Sequence, residues 1–136
     1  MSWASPYVGL PQRDHGRDRL GIDCWGLFRL IYLEQLGLEL PSYSGLYLDA
    51  AEHAEVARIV NAEEAKGLWY PVGHIEPFDL LLFRMGRYRS HIGCALDGRR
   101  MLHVQGQDGS KIERFREGRW QHRFTGAFRH VERRLK

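Results

Sequence analysis

Cys24 follows Asp23 directly, where a lead-in rich in Gly, Pro, Asp and Arg gives way to an apolar run from Trp25 to Leu36 closed by Gly37. That order predicts a helix over Cys24–Leu36. Asp23 is its N-cap, with a carboxylate that accepts orphan backbone N–H groups, and Gly37 is the residue just past its end. A thiol in the first turn meets unpaired N–H groups and the positive end of the helix dipole. Both favour thiolate, and such thiols fall below the free value of about 8.5. A lone cysteine is more often buried and inert, so the position becomes chemical only if a base lies near the sulfur. His91 and His103 are the candidates: a nucleophilic cysteine needs a base, and that base needs a third group to orient its ring.

Those histidines must be positioned by strands. The short apolar run Asp79–Phe83 is followed by Ser90–Leu96, Arg100–Gln105, Ser110–Phe115 and Gly126–Val131, with glycine-containing turns between them. Side chains alternate faces along a strand, so His91 and His103 can cooperate only from one face. A plain two-residue turn at Asp97-Gly98 would pair His91 with Val104 and separate the histidines. We therefore expect an odd-length loop, Leu96-Asp97-Gly98, with Gly98 left-handed in a bulged hairpin that pairs Ala95 with Arg99 and His91 with His103. A second, alanine-rich and acidic helix is expected over Asp49–Lys66, and Ser2–Leu20 reads as irregular. Helices first and a meandering antiparallel sheet second is an α+β order.

The chain has 136 residues, 43% hydrophobic and 27% charged, which fits one globular domain over residues 1–136. No apolar run approaches the roughly 20 residues needed to cross a bilayer. Met1–Gln12 has neither a basic nor an apolar signal-peptide region, so synthesis in the cytoplasm without a signal peptide is expected. Two cysteines do not make a disulfide scaffold. Arg114–Lys136 carries eight Lys or Arg against Glu117 and Glu132. Such a stretch could attract an anionic polymer, but it reads first as a solvated edge strand and terminus. Without aromatic RNA-binding signatures or helix-turn-helix cues, nucleic acid is not an expected partner.

Four motifs in order resemble the NlpC-type cell-wall peptidases: Gly21-Ile22-Asp23-Cys24-Trp25-Gly26-Leu27, Pro77-Phe78-Asp79-Leu80-Leu81-Leu82-Phe83, Ser90-His91-Ile92-Gly93 and Leu102-His103. The lead-in Tyr7–Pro11, the Gly16-Arg17-Asp18 step and the closing Trp120–Arg129 segment look most like the branch found in phage tails, prophages and gene-transfer agents. The resemblance implies a papain-like fold and hydrolysis of the peptidoglycan stem peptide at the bond between D-γ-glutamate and a diamino acid. It further implies Cys24 as nucleophile, His91 as general base and acid, and His103 as the group that orients His91. No cofactor is implied. A tail setting would bring tail-tip or hub proteins as partners and place the chain in a virion or phage-like tail.

Two positions depart from the family pattern. Members commonly carry tyrosine twelve residues before the nucleophile, where this chain has Gln12, and serine directly after it, where this chain has Trp25. Both positions are associated with the N-terminal end of the stem peptide. Gln12, Trp25 and the capping Asp23 are therefore the candidate substrate-binding residues, with the Gln12 amide as an alternative donor at the mouth of the site. The usual Pro-Gly-Asp is Pro77-Phe78-Asp79 here. Zinc held by Cys24, His91 and His103 with Cys94 or His74 is not expected, since no Cys-x₂-Cys pair exists and Cys94 should face away from His91. The rival functions are a structural tail component with vestigial activity and an amidase acting on another amide.

Overall fold

In the computed structural model, which describes residues 2–43 and 52–135, the Asp23 carboxylate accepts the Gly26 backbone N–H at 2.7 Å and starts helix α1 (Cys24–Ile31). The helical path continues as a wider π-type turn over Tyr32–Leu36 and stops at Gly37, which is left-handed at φ 67°. Cap and stop thus lie where the side-chain chemistry puts them. Immediately before α1, β1 (Arg17–Asp18) pairs with β2 (Gly21–Ile22), so the lead-in is less irregular than expected. This small ladder lies against the first turn of α1. A Cβ on Gly26 would stand 2.1 Å from the Gly16 carbonyl oxygen, and one on Gly16 would stand 2.1 Å from the Gly21 carbonyl oxygen. Backbone meets backbone there, so only glycine fits, and the contact fixes where Cys24 emerges.

Helix α2 (Glu52–Ala65) is the second expected helix; the start of the expected segment, 49–51, lies outside the described residues. Val56, Ile59 and Val60 turn its buried side inward. The sheet contains β3 (Trp69–Pro71), β4 (Leu80–Met85), β5 (Tyr88–Ala95), β6 (Arg100–Val104), β7 (Ser110–Arg114) and β8 (Phe124–His130). Its six strands run in the order β3-β8-β4-β5-β6-β7, and each pair is antiparallel. It is therefore not a simple meander: β8 returns to lie between β3 and β4. Strand β3 and the short helix α3 (Gly118–Arg123) were not anticipated either. Both are too brief to show a period in the sequence.

The sheet is covered on both faces. Leu80, Leu82, Ile92, Cys94, Leu102 and Val104 pack with α1 and α2, while Leu81, Phe83, Ala95, Met101 and Ala127 pack with Phe115 and Trp120 on the other side. Burial on two faces explains why Leu80–Phe83 shows no polar alternation. Asp79, fully buried just before β4, accepts from Arg129 Nε at 2.8 Å, Arg133 Nη1 at 2.9 Å and the Glu76 backbone N–H at 2.7 Å. The strand of the basic C-terminal stretch, β8, is accordingly not at the sheet edge, and the stretch is not merely solvated. Two of its arginines neutralise a buried carboxylate that would otherwise be costly to desolvate. Phe78, standing where the family pattern has glycine, is held at φ 74° with its ring stacked on Trp3 at 4.4 Å between centroids.

The β5–β6 hairpin corrects the expected register. Cys94 pairs with Leu102 and Ala95 with Met101, and the Leu96 N–H bonds the Arg100 carbonyl at 2.9 Å, leaving Asp97, Gly98 and Arg99 as the loop. The loop is odd in length, as the histidines require, but it sits one residue later than expected. Gly98 is not left-handed; the Asp97 carboxylate instead accepts the Arg99 and Arg100 backbone N–H groups at 2.8 Å each, an Asx-type turn that holds the loop.

Candidate active site

Cys24 is nearly buried, at 6% exposure, and its thiol donates to the Ser90 carbonyl at the start of β5 at 3.8 Å. It shares a small cleft with Gln12, Ser90, His91 and Gln105. His91 and His103 lie on the same face of the sheet, the one bearing Trp120, because the odd loop between them preserves parity. His91 Nε2 and His103 Nδ1 are 2.8 Å apart, and His103 Nε2 lies 2.8 Å from Glu113 Oε1 on β7. The structure thus brings Cys24 and His91 to one cleft and joins His91, His103 and Glu113 in an unbroken hydrogen-bonded row.

Burial and charge act on that row together. His103 has no exposed surface, and its pKa is lowered from 6.5 by burial, against the opposing pull of Glu113. Burial alone would raise the Glu113 carboxyl, but the hydrogen bond from His103 and the charge of Lys111 carry it below the ordinary value of 4.5. The Trp120 ring stacks on His91 at 4.8 Å and 21° and meets His103 edge-on at 5.0 Å, while the Arg119 guanidinium lies 4.7 Å from the Trp120 ring centroid. A wall of aromatic carbon therefore shields the His91–His103 bond from water, which strengthens it.

The substrate-binding candidates fare unequally. Gln12 lines the cleft, and its amide N–H donates to Asp14 Oδ1 at 2.8 Å. Asp23 is buried, capping Gly26 and pairing with Arg17 Nη1 at 2.7 Å, which makes it a support of the first turn. Trp25 has to be corrected. It is fully buried in the core beneath α1, its indole N–H donating to the Pro41 carbonyl at 2.9 Å, and a side chain without exposed surface cannot touch a substrate. Cys94 points to the opposite sheet face, where burial pushes its thiol far up. Among the described residues, no group of three or more His, Cys, Asp or Glu is arranged to hold a metal ion.

Sequence reasoning missed Glu113 and Trp120. Glu113 pairs across the sheet with Met101, so it reaches His103 on the diagonal, two residues beyond that histidine's own partner Lys111. An acid of matching parity on the strand after His103 was visible, but the β6–β7 register was not. Trp120 sits in a helix too short to leave a pattern.

Residues 9–129 match the model of the NlpC/P60 family, and the chain belongs to that family. It is 27% identical over 133 residues to the murein DD-endopeptidase MepS/murein LD-carboxypeptidase of Escherichia coli, covering 98% of this chain and 62% of that protein. The chain thus spans less than two-thirds of that relative's length. Among solved structures, the NlpC/p60 domain of the peptidoglycan hydrolase SagA superposes with a TM-score of 0.63 at 22% identity, covering 93% of this chain and 92% of the other. A Staphylococcus aureus protein of the same family, described as similar to lipoprotein, gives a TM-score of 0.67 at 23% identity over 94% of this chain and 39% of the other. The fold is therefore the α+β, papain-like arrangement of these domains.

Proposed function

We propose that this chain is a cysteine peptidase that hydrolyses an amide bond in the peptide part of bacterial peptidoglycan. One observation carries the reading: a thiol at a capped helix start shares a cleft with His91, whose ring is hydrogen-bonded to His103 at 2.8 Å. That is the nucleophile, base and orienting group which acyl transfer needs. The Cys24 thiolate attacks the amide carbonyl, and the backbone N–H groups of the helix start, with the positive end of its dipole, are the natural donors to the oxyanion. His91 protonates the leaving amine. It then removes a proton from water, which splits the thioester and frees the thiol.

Within the stem, the bond between D-γ-glutamate and the diamino acid is the first reading, supported by the resemblance of the four motifs. The name of the Escherichia coli relative favours a second, the DD cross-link between stems. Digestion of defined, cross-linked muropeptides followed by mass spectrometry separates them. The first reading predicts a γ-glutamyl dipeptide fragment and the second predicts intact monomeric stems, with neither product formed by Cys24→Ala. Wild-type protein that leaves every stem peptide whole would overturn both and favour the structural role. A tail setting rests on Tyr7–Pro11, Gly16–Asp18 and Trp120–Arg129; finding the chain in purified particles would support it, and its absence from them would remove it.

A further inference from the structure

We propose that the Glu113 carboxylate fixes the tautomers of both histidines, so that Nδ1 of His91 is the nitrogen that takes the Cys24 proton. This deepens the thiol-peptidase reading and rests on it for its functional meaning, though the tautomers can be measured without substrate. The hydrogens along the row are set from its acidic end. A carboxylate only accepts, so His103 Nε2, 2.8 Å from Glu113 Oε1, must carry a hydrogen. In the neutral His103 ring, the form that burial favours, that hydrogen is the only one and Nδ1 presents a lone pair. His91 Nε2, 2.8 Å from that lone pair, must then carry a hydrogen of its own. A neutral His91 is left with an unprotonated Nδ1.

Reversing the row shows what Glu113 prevents. If His103 carried its hydrogen on Nδ1, it would donate to His91 Nε2, and His91 would hold its own hydrogen on Nδ1. Such a ring cannot accept a proton from the thiol. With the carboxylate in place the productive direction is enforced from the far end of the relay, two rings from the sulfur. In the reaction one proton passes from Cys24 Sγ to His91 Nδ1, leaving thiolate and imidazolium; the Nε2–H bond to His103 is kept.

The charges around the row support an ionised Glu113. Lys111 Nζ on the same strand lies 3.6 Å from Glu113 Oε1, and Arg119 on α3 acts on His103 from the side of Trp120. His91 faces from β5, with Cys24 in its cleft. Glu113 is about one-third exposed and Trp120 is nearly buried, so the relay is sealed on its aromatic side and neutralised at its open end. Glu113 is a positioning residue: it acts through His103 and touches no reacting atom.

The test is ¹⁵N NMR of the imidazole rings in Cys24→Ala, where no thiol proton can move, at a pH at which both rings are neutral. His91 and His103 should both show the Nε2–H tautomer. Adding Glu113→Gln, whose amide can also donate to His103, should bring a substantial Nδ1–H population to both rings. In the chain with Cys24 intact, Glu113→Gln should slow iodoacetamide alkylation of Cys24 near neutral pH by roughly tenfold or more, with the rate rising only as a free thiol ionises. His91 carrying its hydrogen on Nδ1 in the Cys24→Ala protein would overturn the proposal, whatever the fate of the double variant. So would tautomers or an alkylation profile that Glu113→Gln leaves unchanged. Failure of the peptidase reading would show separately, as intact muropeptides beside correct tautomers.

Discussion

Burial works on single residues here with a sign that can be read from pH. Folded His103 binds a proton less readily than an unfolded histidine, because burial disfavours its charged form, and buried His130 is shifted the same way for the same reason. Above the ordinary value of 6.5 both states are neutral and these groups leave stability unchanged. As pH falls below it, the unfolded chain takes up protons that the folded chain refuses, so stability falls. Glu113, whose lowered pKa survives burial through its bond from His103, adds a loss of the same sign as pH drops through 4.5 and below. Urea unfolding between pH 7 and pH 5 should show a declining midpoint, with a shallower decline in His103→Asn. A wild-type midpoint that rises on acidification would contradict this burial. At the cleft, His91→Ala should cost about 10²- to 10⁴-fold in kcat, the range of a positioned base. His103→Asn should cost less, since an amide oxygen can still accept from His91. Gln12→Ala should raise KM with kcat nearly unchanged, if its amide donates to substrate at the mouth of the cleft. Equal kinetics to wild type would remove Gln12 from the binding site.

At the scale of elements, the thiol is placed by the fit of the β1–β2 ladder against α1. Gly26→Ala should gain about 1 kcal/mol of helix propensity. It also drives a Cβ to 2.1 Å from the Gly16 carbonyl, so the backbones must part. Overpacking of that kind costs about 1–3 kcal/mol, and the net effect should be destabilising. Because the parting happens beside Cys24, slower alkylation of the thiol should accompany it. Gly98→Ala is the control: a Cβ there meets open space, and the hairpin is held by Asp97, so stability should hardly change. Comparable losses in both variants would show that the close approach does not hold the helix start. The same contrast shows which elements could be read from the sequence. Cap, stop and parity are local: Asp23 before Cys24, Gly37 after the apolar run, and an odd loop for two histidines sharing a face. The one-residue shift of that loop could not be read, since Leu96-Asp97-Gly98 and Asp97-Gly98-Arg99 both satisfy parity. The Asx turn that decides between them depends on where Asp97 points. The insertion of β8 between β3 and β4 depends on pairings between distant strands, which no local pattern encodes. The diagonal reach of Glu113 to His103 depends on the β6–β7 register, which the alternation of the two strands leaves open by steps of two residues.

At the scale of the whole molecule, the closing segment is tied back to the start of β4 through Asp79. Its carboxylate is fully buried and shared by Arg129 and Arg133, which are themselves only 16% and 15% exposed. Removing one side of such a buried pair costs about 3–5 kcal/mol. Asp79→Ala should therefore lower stability by about that much in urea unfolding. Loss of the exposed Arg114–Glu117 pair should cost between about 0 and 1 kcal/mol. Equal effects would mean that the clamp contributes no more than the surface. Site and clamp lie in one chain of the NlpC/P60 family, and what that chain does depends on whether its thiol carries an acyl group during turnover. The decisive measurement is acid-quenched mass spectrometry of the protein during incubation with defined muropeptides. A thioester at Cys24 predicts added mass equal to the acyl half of the cleaved stem, mapped to the Cys24 fragment and absent from Cys24→Ala. Muropeptide cleavage that persists in Cys24→Ala with no adduct on the wild-type chain would contradict it.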